Sequence, residues 1–246
     1  MDFEHVKRTA FAMPLTSPSF TRGPHRYSNR EHMIVAYRTD LAKAQAAAPE
    51  PLFCGDAIVR FEFMRMESAT GFGRYSGAAQ SIAVSHDGQA GAYTHNMFLD
   101  AHGPISGGRE LWGFPQKLAV ARLSVEHDTL VGALDYGPAR VATATMGYKH
   151  RALDDAEALR FLQEPGFLLK IIPHVDGTPR ICELVRYFRR DIVVKGAWSG
   201  PCALELKPHA LAPVSDLPIV EIIKGVHVIA DFTLELGEVV FDYLAD

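Results

Sequence analysis

The chain has 246 residues, with 25 Lys and Arg against 29 Asp and Glu, so its formal net charge is −4. Hydrophobic residues make up 48% and charged residues 22%, which is typical of folded globular proteins and excludes disordered and collagen-like chains. The mildly acidic balance and the lack of a basic stripe argue against a nucleic-acid partner.

Residues 1–30 are rich in proline and turn-forming residues, which predicts an irregular arm rather than a regular helix. The apolar run MIVAYR (33–38) then looks like a strand. A short alanine-rich helix is predicted over 40–48, with Thr39 as its N-cap and prolines after it.

Two strand-like segments follow this helix. Residues 57–66 alternate, so that Arg60, Glu62 and Met64 share one face of the predicted strand. Small residues interrupt 68–80 and indicate a loop or a bulged strand.

The middle of the chain predicts hairpins and a connection between them. Residues 81–100 predict a hairpin that turns at Asp87-Gly88. Residues 103–119 read as a glycine-rich connection that enters a strand near Lys117. A second hairpin pattern covers 123–150, with its first turn at His127-Asp128.

The clearest helical pattern in the chain is 152–163, with Asp154 as its N-cap. Strand-like runs occupy the remainder, giving about ten strands against two helices and no alternating βαβ units. The sequence therefore predicts a mainly antiparallel β (α+β) fold, closed or nearly closed. We find no linker or repeat, so we expect a single domain over 1–246.

Several classes of chemistry lack their motifs. The 11 histidines form no HxH or HExxH spacing, the three cysteines form no CxxC pair, and there is no GxSxG or GxGxxG motif. The sequence therefore predicts neither a metal nor a cofactor. The cysteine usage, the lack of a signal peptide and the lack of an apolar run of roughly 18 residues predict a cytoplasmic protein without membrane association.

The segment GRELWGFPQKLA (108–119) places Lys117 among apolar residues that include Phe114. Burial in such surroundings lowers the pKa of a lysine, and the neutral amine can then attack a ketone to form a Schiff base. Alternatively, Lys117 lies at a strand edge with its ammonium in water. The segment alone leaves both readings open.

Long segments of the chain resemble the acetoacetate decarboxylase family over nearly the whole length. They are PLTSPSFTRGPHRYSNRE (14–31), VRFEFMRM (59–66), GRELWGFPQK (108–117), 128–154 and LLKIIPHVDGTPRICELV (168–185). The resemblance implies a β-rich cone or barrel with a hydrophobic central pocket, and a homo-oligomer. Acetoacetate decarboxylase is itself the standard example of an enzyme with an activated lysine.

The resemblance also implies roles for individual residues. Arg30 matches an active-site arginine suited to a substrate carboxylate. Glu62 matches a pocket glutamate that serves as an acid or base, and Met97 matches a methionine on the pocket wall. Phe114 belongs to the same pocket motif.

The chain departs from the family pattern at two positions. The family reads GFPKK or YPKK, where the first lysine forms the Schiff base, but here that position is Gln116 and only Lys117 remains. The family also reads YTESGQ, whereas YSGAAQ places Gly77 at the position of the glutamate, which removes a charge and opens space. In an extended segment, Gln116 would enter the pocket and Lys117 would leave it, unless a bulge or turn after Pro115 reverses them.

These observations predict a carbon–carbon lyase acting on small keto acids. Lys117 would be the Schiff-base nucleophile, Arg30 the carboxylate anchor and Glu62 the acid or base. Because a glutamate is missing, aldol condensation or cleavage with dehydration is favoured over efficient decarboxylation. The alternatives are plain acetoacetate decarboxylation, a catalytically silent oligomer that binds small carboxylates, and an enzyme that uses Glu62 as a base without covalent catalysis.

Overall fold

The computed structural model describes residues 1–245. The helical segments are α1 (Phe3–Thr9), α2 (Leu41–Ala47), α3 (His102–Gly107), a π-helical turn (Gly108–Trp112), α4 (Asp155–Gln163) and a 3-10 turn (Val214–Asp216). The first strands are β1 (His25–Arg38), β2 (Ile58–Ala69), β3 (Gly73–His86), β4 (Gln89–Leu99), β5 (Gln116–Leu118), β6 (Val120–Glu126), β7 (Thr129–Tyr136) and β8 (Ala139–Gly147). The later strands are β9 (Arg151–Ala152), β10 (Gly166–Pro173), β11 (Pro179–Tyr187), β12 (Arg189–Gly200), β13 (Cys202–Leu206), β14 (Glu221–Leu234) and β15 (Glu238–Asp242).

Two sheets account for these strands. The long sheet has 11 strands in the order β15-β11-β10-β4-β3-β2-β1-β14-β12-β9, with β5 paired to β4 outside this path. The small sheet has four strands in the order β13-β8-β7-β6. Most pairs are antiparallel, and β4 pairs in parallel with β5 and with β10.

The mainly antiparallel β fold class is confirmed, but the predicted closure is wrong. Among the described residues, the long sheet ends at β15 on one side and β9 on the other, so it does not close into a barrel. Its two faces are instead covered by separate hydrophobic clusters. One cluster joins Phe61, Phe63 and Phe98 to the small sheet, and the other contains Met64, Met97 and further residues on the opposite face.

The local predictions differ from the structure mainly near the N-terminus. The predicted arm contains α1, which Asp2 caps by accepting a hydrogen bond from the amide of His5, and β1 already begins at His25. The cap of α2 is Asp40 rather than Thr39, because the Asp40 carboxylate accepts from the Lys43 amide at 2.8 Å. Strand pairing also orders the 68–80 segment into β3.

The connection before Lys117 is more regular than its glycines suggested, since it forms α3 and the π-helical turn. Gly113 ends this turn with φ 90°, a conformation that favours glycine. A side chain there would also lie 2.6 Å from Cα of Lys170. Gly113 thus directs the chain through Phe114 into β5.

The two hairpin turns and the last helix are confirmed. β3 and β4 meet at Asp87-Gly88, β6 and β7 at His127-Asp128, and Asp154 caps α4. No helix in the described part of the chain is both long and apolar enough to span a bilayer.

Candidate active site

A cavity of about 80 Å³ lies against the face of the long sheet that carries Met64 and Met97. Aromatic and apolar side chains form much of its wall: Tyr27, Tyr75, Met97, Phe114, Tyr187 and Leu234. The charged and carboxamide side chains that line it are those of Arg30, Arg60, Glu62, Gln116, Glu164 and Arg189. A concave site that combines apolar walls with placed polar groups is the usual form of a small-molecule site, and this cavity carries more charged groups than most.

Strand register explains why distant residues meet in this cavity. Glu62 of β2 pairs with Ala79 of β3, Ala79 with Met97 of β4, and Met97 with Gln116 of β5. Paired residues point to the same face of a sheet. One row of the sheet therefore carries both Glu62 and Gln116 toward the cavity, and the sequence-predicted residues Glu62, Met97 and Gln116 are brought together.

The structure does not bring Lys117 to the cavity. Lys117 pairs with Phe98 in the next row and so points to the opposite face. Its side chain is exposed, and its ammonium donates to the carbonyl of Leu211 at 2.8 Å. No bulge is present within β5 to reverse the alternation. Lys117 therefore does not lie in the pocket, where a Schiff-base nucleophile would have to be. Among the described residues, no lysine lines the cavity.

Gln116 lies in the cavity wall and is 5% exposed. Its amide nitrogen donates to the carbonyls of Pro104 at 2.9 Å and Ile105 at 3.3 Å, since the opposite orientation would turn its oxygen toward those two oxygens. In this orientation the amide oxygen of Gln116, Oε1, lies 3.4 Å from Sδ of Met97. α3 thereby fixes the orientation of the amide.

Gly77 does not open space in the cavity wall. It is buried in β3 on the face of Met64, with which it pairs. Leu99, paired to Gly77 from β4, fills the volume that a side chain at position 77 would need, and the carbonyl of Phe98 would lie 2.8 Å from its Cβ. The expected gain of room is thus absent, because a neighbouring leucine occupies it.

Arg30 offers a guanidinium group to the cavity without a carboxylate partner among the described residues. One of its terminal nitrogens lies 2.8 Å from Sδ of Met64, and its buried Nε has no hydrogen-bond partner. The group lies over the rings of Tyr27 and Phe232, at 5.1 and 5.2 Å. Arg30 is therefore held in place by aromatic rings and remains available to a bound anion.

Glu62 forms a buried pair with His32, whose Nδ1 contacts the Glu62 carboxylate. Burial would raise the pKa of Glu62, but the His32 ring and then the Arg30 and Arg189 guanidinium groups lower it more, to about 2. Burial lowers the pKa of His32. Glu62 is therefore a carboxylate, oriented by its histidine neighbour.

Sequence reasoning missed three charged residues of the cavity. Arg189 donates to the main-chain carbonyls of Leu162 and Glu164, and like Arg30 it has no carboxylate partner in the described chain. Arg60 forms an ion pair with Glu164 at another part of the wall. Arg60 shares the strand face of Glu62, and that alternation could have indicated it. Arg189 and Glu164 come from distant segments and leave no local signal.

Comparison with known proteins places this cavity in a family context. The family model described as acetoacetate decarboxylase matches residues 12–244. The chain belongs to the acetoacetate decarboxylase family. Curated relatives named acetoacetate decarboxylase include those of Paraburkholderia xenovorans, 62% identical over 99% of this chain and 97% of the relative, and Acidiphilium cryptum, 61% identical over the full length of both.

Solved structures of the acetoacetate decarboxylase family have the same fold. The enzyme from Legionella pneumophila is 50% identical, with a TM-score of 0.92 over 98% of this chain and 97% of that chain. A structure of the enduracididine biosynthesis enzyme MppR complexed with pyruvate is 19% identical, with a TM-score of 0.83 over 95% of this chain and 98% of that chain. This likeness shows the fold alone.

Proposed function

We propose that this member of the acetoacetate decarboxylase family acts on small keto acids by aldol-type lyase chemistry without an enzyme-bound Schiff base. The observation that carries the proposal is the orientation of β5, which turns the Gln116 side chain into the cavity wall and the Lys117 side chain away from it. An amide cannot form an imine with a ketone. The chemistry must then come from the groups that remain, Arg30 and the His32–Glu62 pair.

Arg30 suits the substrate carboxylate because its guanidinium group is positioned, partly buried and unpaired. Arg189 adds a second positive charge on the same cavity. With Glu62 ionised and His32 neutral, Arg30 and Arg189 leave one excess positive charge among these four groups. A monocarboxylate would neutralise that excess.

Glu62 is the candidate base. It would take a proton from the carbon next to the keto group, and the electron pair of the broken C–H bond would move to the carbonyl oxygen as an enolate. Its pKa of about 2 makes it a weak base. Since Arg30 and Arg189 contribute to that low pKa, a carboxylate bound to them would raise it, so substrate binding itself would strengthen the base.

Plain acetoacetate decarboxylation is the second candidate, because relatives that are 58–62% identical are named acetoacetate decarboxylase. The catalytically silent binder is the third, and it needs only Arg30. The homo-oligomer, the cytoplasmic location and the single domain remain predictions.

We expect the unmodified protein to give no reduced adduct when it is incubated with acetoacetate or pyruvate and borohydride. The reason is that no lysine lines the cavity in the described chain. Peptide mass spectrometry checks this, together with carbon dioxide release from acetoacetate. An adduct on Lys117, or a turnover above about 10 s⁻¹, the median for enzymes, would contradict the proposal.

We expect the protein to catalyse deuterium exchange at the methyl group of pyruvate in heavy water, and Glu62→Gln to slow this exchange by about 100-fold or more. Gln keeps the shape and a hydrogen bond to His32 but cannot take the proton. Proton NMR follows the exchange. Glu221→Gln is the matched control, since Glu221 is exposed and paired with Arg38. An unmodified protein that binds pyruvate but exchanges no hydrogen would instead support the silent binder.

A further inference from the structure

Gln116 changes the hydrogen-bonding character of the cavity wall. Both carbonyls of α3 that face the amide nitrogen, those of Pro104 and Ile105, accept from it. Its oxygen is left as the free polar atom beside Met97. The ammonium group of a lysine at this position would donate hydrogen bonds, whereas the Gln116 oxygen can only accept them.

The amide has little freedom to rotate and present its nitrogen instead. Gln116 packs directly on Gly108, where an added Cβ would lie 2.7 Å from its Cδ. The backbone of Gln116 is held as well, because the guanidinium group of Arg109 donates to its main-chain carbonyl at 3.1 Å. Turning the amide over would break two hydrogen bonds and place oxygen against oxygen.

A fixed acceptor discriminates between ligand groups. A keto oxygen facing the Gln116 oxygen would leave two buried acceptors unsatisfied, whereas a hydroxyl group would donate to it. An ammonium group of the ligand would also donate to this oxygen. However, the two positive charges of Arg30 and Arg189 outnumber the one negative charge of Glu62, so they would repel an ammonium. A hydroxyl group is therefore the donor that the cavity favours.

We propose that the substrate is a short acid with a hydroxyl group that donates to Oε1 of Gln116, while its carboxylate binds Arg30. Among acids with the same carbon skeleton, the hydroxy acid then binds more tightly than the keto acid. This inference rests on the proposed function, because it uses the same carboxylate site. It fits aldol chemistry in the cleavage direction, in which the bound keto acid also carries a hydroxyl group.

The test measures dissociation constants for acetoacetate and for both enantiomers of 3-hydroxybutyrate by calorimetry at pH 7. We expect the better enantiomer to bind about tenfold more tightly than acetoacetate. Gln116→Met, which keeps the length but removes the acceptor, should bring the ratio close to one. Lys117→Met, a change in the neighbouring residue whose side chain lies outside the cavity, should preserve the ratio.

Equal or tighter binding of acetoacetate by the unmodified protein would overturn the inference, as would a preference that persists in Gln116→Met. If Gln116→Met does not fold, the carboxamide ¹³C resonance of Gln116 in the unmodified protein replaces it, and must shift with 3-hydroxybutyrate but not with acetoacetate. Arg30→Met, compared with the control Arg38→Met, shows whether binding depends on Arg30. If it does, but the hydroxy acid and the keto acid bind equally well, this inference fails and the proposed function stands. If no acid binds, both proposals fail.

Discussion

The Gln116→Lys variant is expected to form one borohydride-reducible adduct with acetoacetate, at position 116, and to release carbon dioxide at least about 100-fold faster than the unmodified protein. Position 116 lies on the cavity face, in the row of Glu62 and Met97. A single substitution therefore places an amine where a bound keto acid can reach it.

The expected gain depends on a fraction of this lysine being neutral. The side chain at position 116 is 5% exposed, and burial disfavours the ammonium form. Arg30 and Arg189 on the same cavity disfavour it further. The carbonyls of Pro104 and Ile105, which now accept from Gln116, would favour the ammonium, but they are uncharged. We therefore expect the lysine pKa to be lowered overall.

Lys117→Gln is the matched control for this experiment. Introduced with Gln116→Lys, it should leave the adduct unchanged, because the Lys117 ammonium lies at the surface against the carbonyl of Leu211. Loss of the adduct on removal of Lys117 would show that the two positions had been assigned to the wrong faces. A folded Gln116→Lys variant without any adduct would show that position 116 is inaccessible to keto acids.

The Gly77→Glu variant is expected to be destabilised by about 1–3 kcal/mol from overpacking alone, with a further cost for burying a carboxylate. Thermal unfolding should show a decrease of roughly 5 °C or more in Tm. Backbone strain is not the reason, since Gly77 lies outside the left-handed region. The reason is that its Cβ would collide with Leu99 and would lie 2.8 Å from the Phe98 carbonyl.

Gly55→Glu is the control, because Gly55 is exposed, also outside the left-handed region, and meets only an atom of Phe53 at 3.5 Å. Its Tm should change little. Combining Gly77→Glu with Leu99→Ala should cost less than the sum of the single changes, since the alanine makes room for the new side chain. An unchanged Tm in Gly77→Glu would contradict the packing around position 77. We therefore expect a glutamate at position 77 to require a change at Leu99 as well.

Short-range patterns in the sequence determined much of the local structure. The Asp87-Gly88 turn and the Asp154 cap depend on residues within one or two turns of the chain, so they could be predicted. The alternation of β2 likewise places Arg60, Glu62 and Met64 on one face. It also follows from alternation alone that Gln116 and Lys117 point in opposite directions in an extended segment.

Only the tertiary structure decided which of these faces is the cavity. The face follows from register across β2, β3, β4 and β5, and register depends on pairings between residues far apart in the chain. The same holds for Leu99, which takes the space beside Gly77 from a neighbouring strand, and for Arg189, which reaches the cavity from β12. Such contacts leave no local pattern in the sequence, because they are set by the packing of the whole sheet.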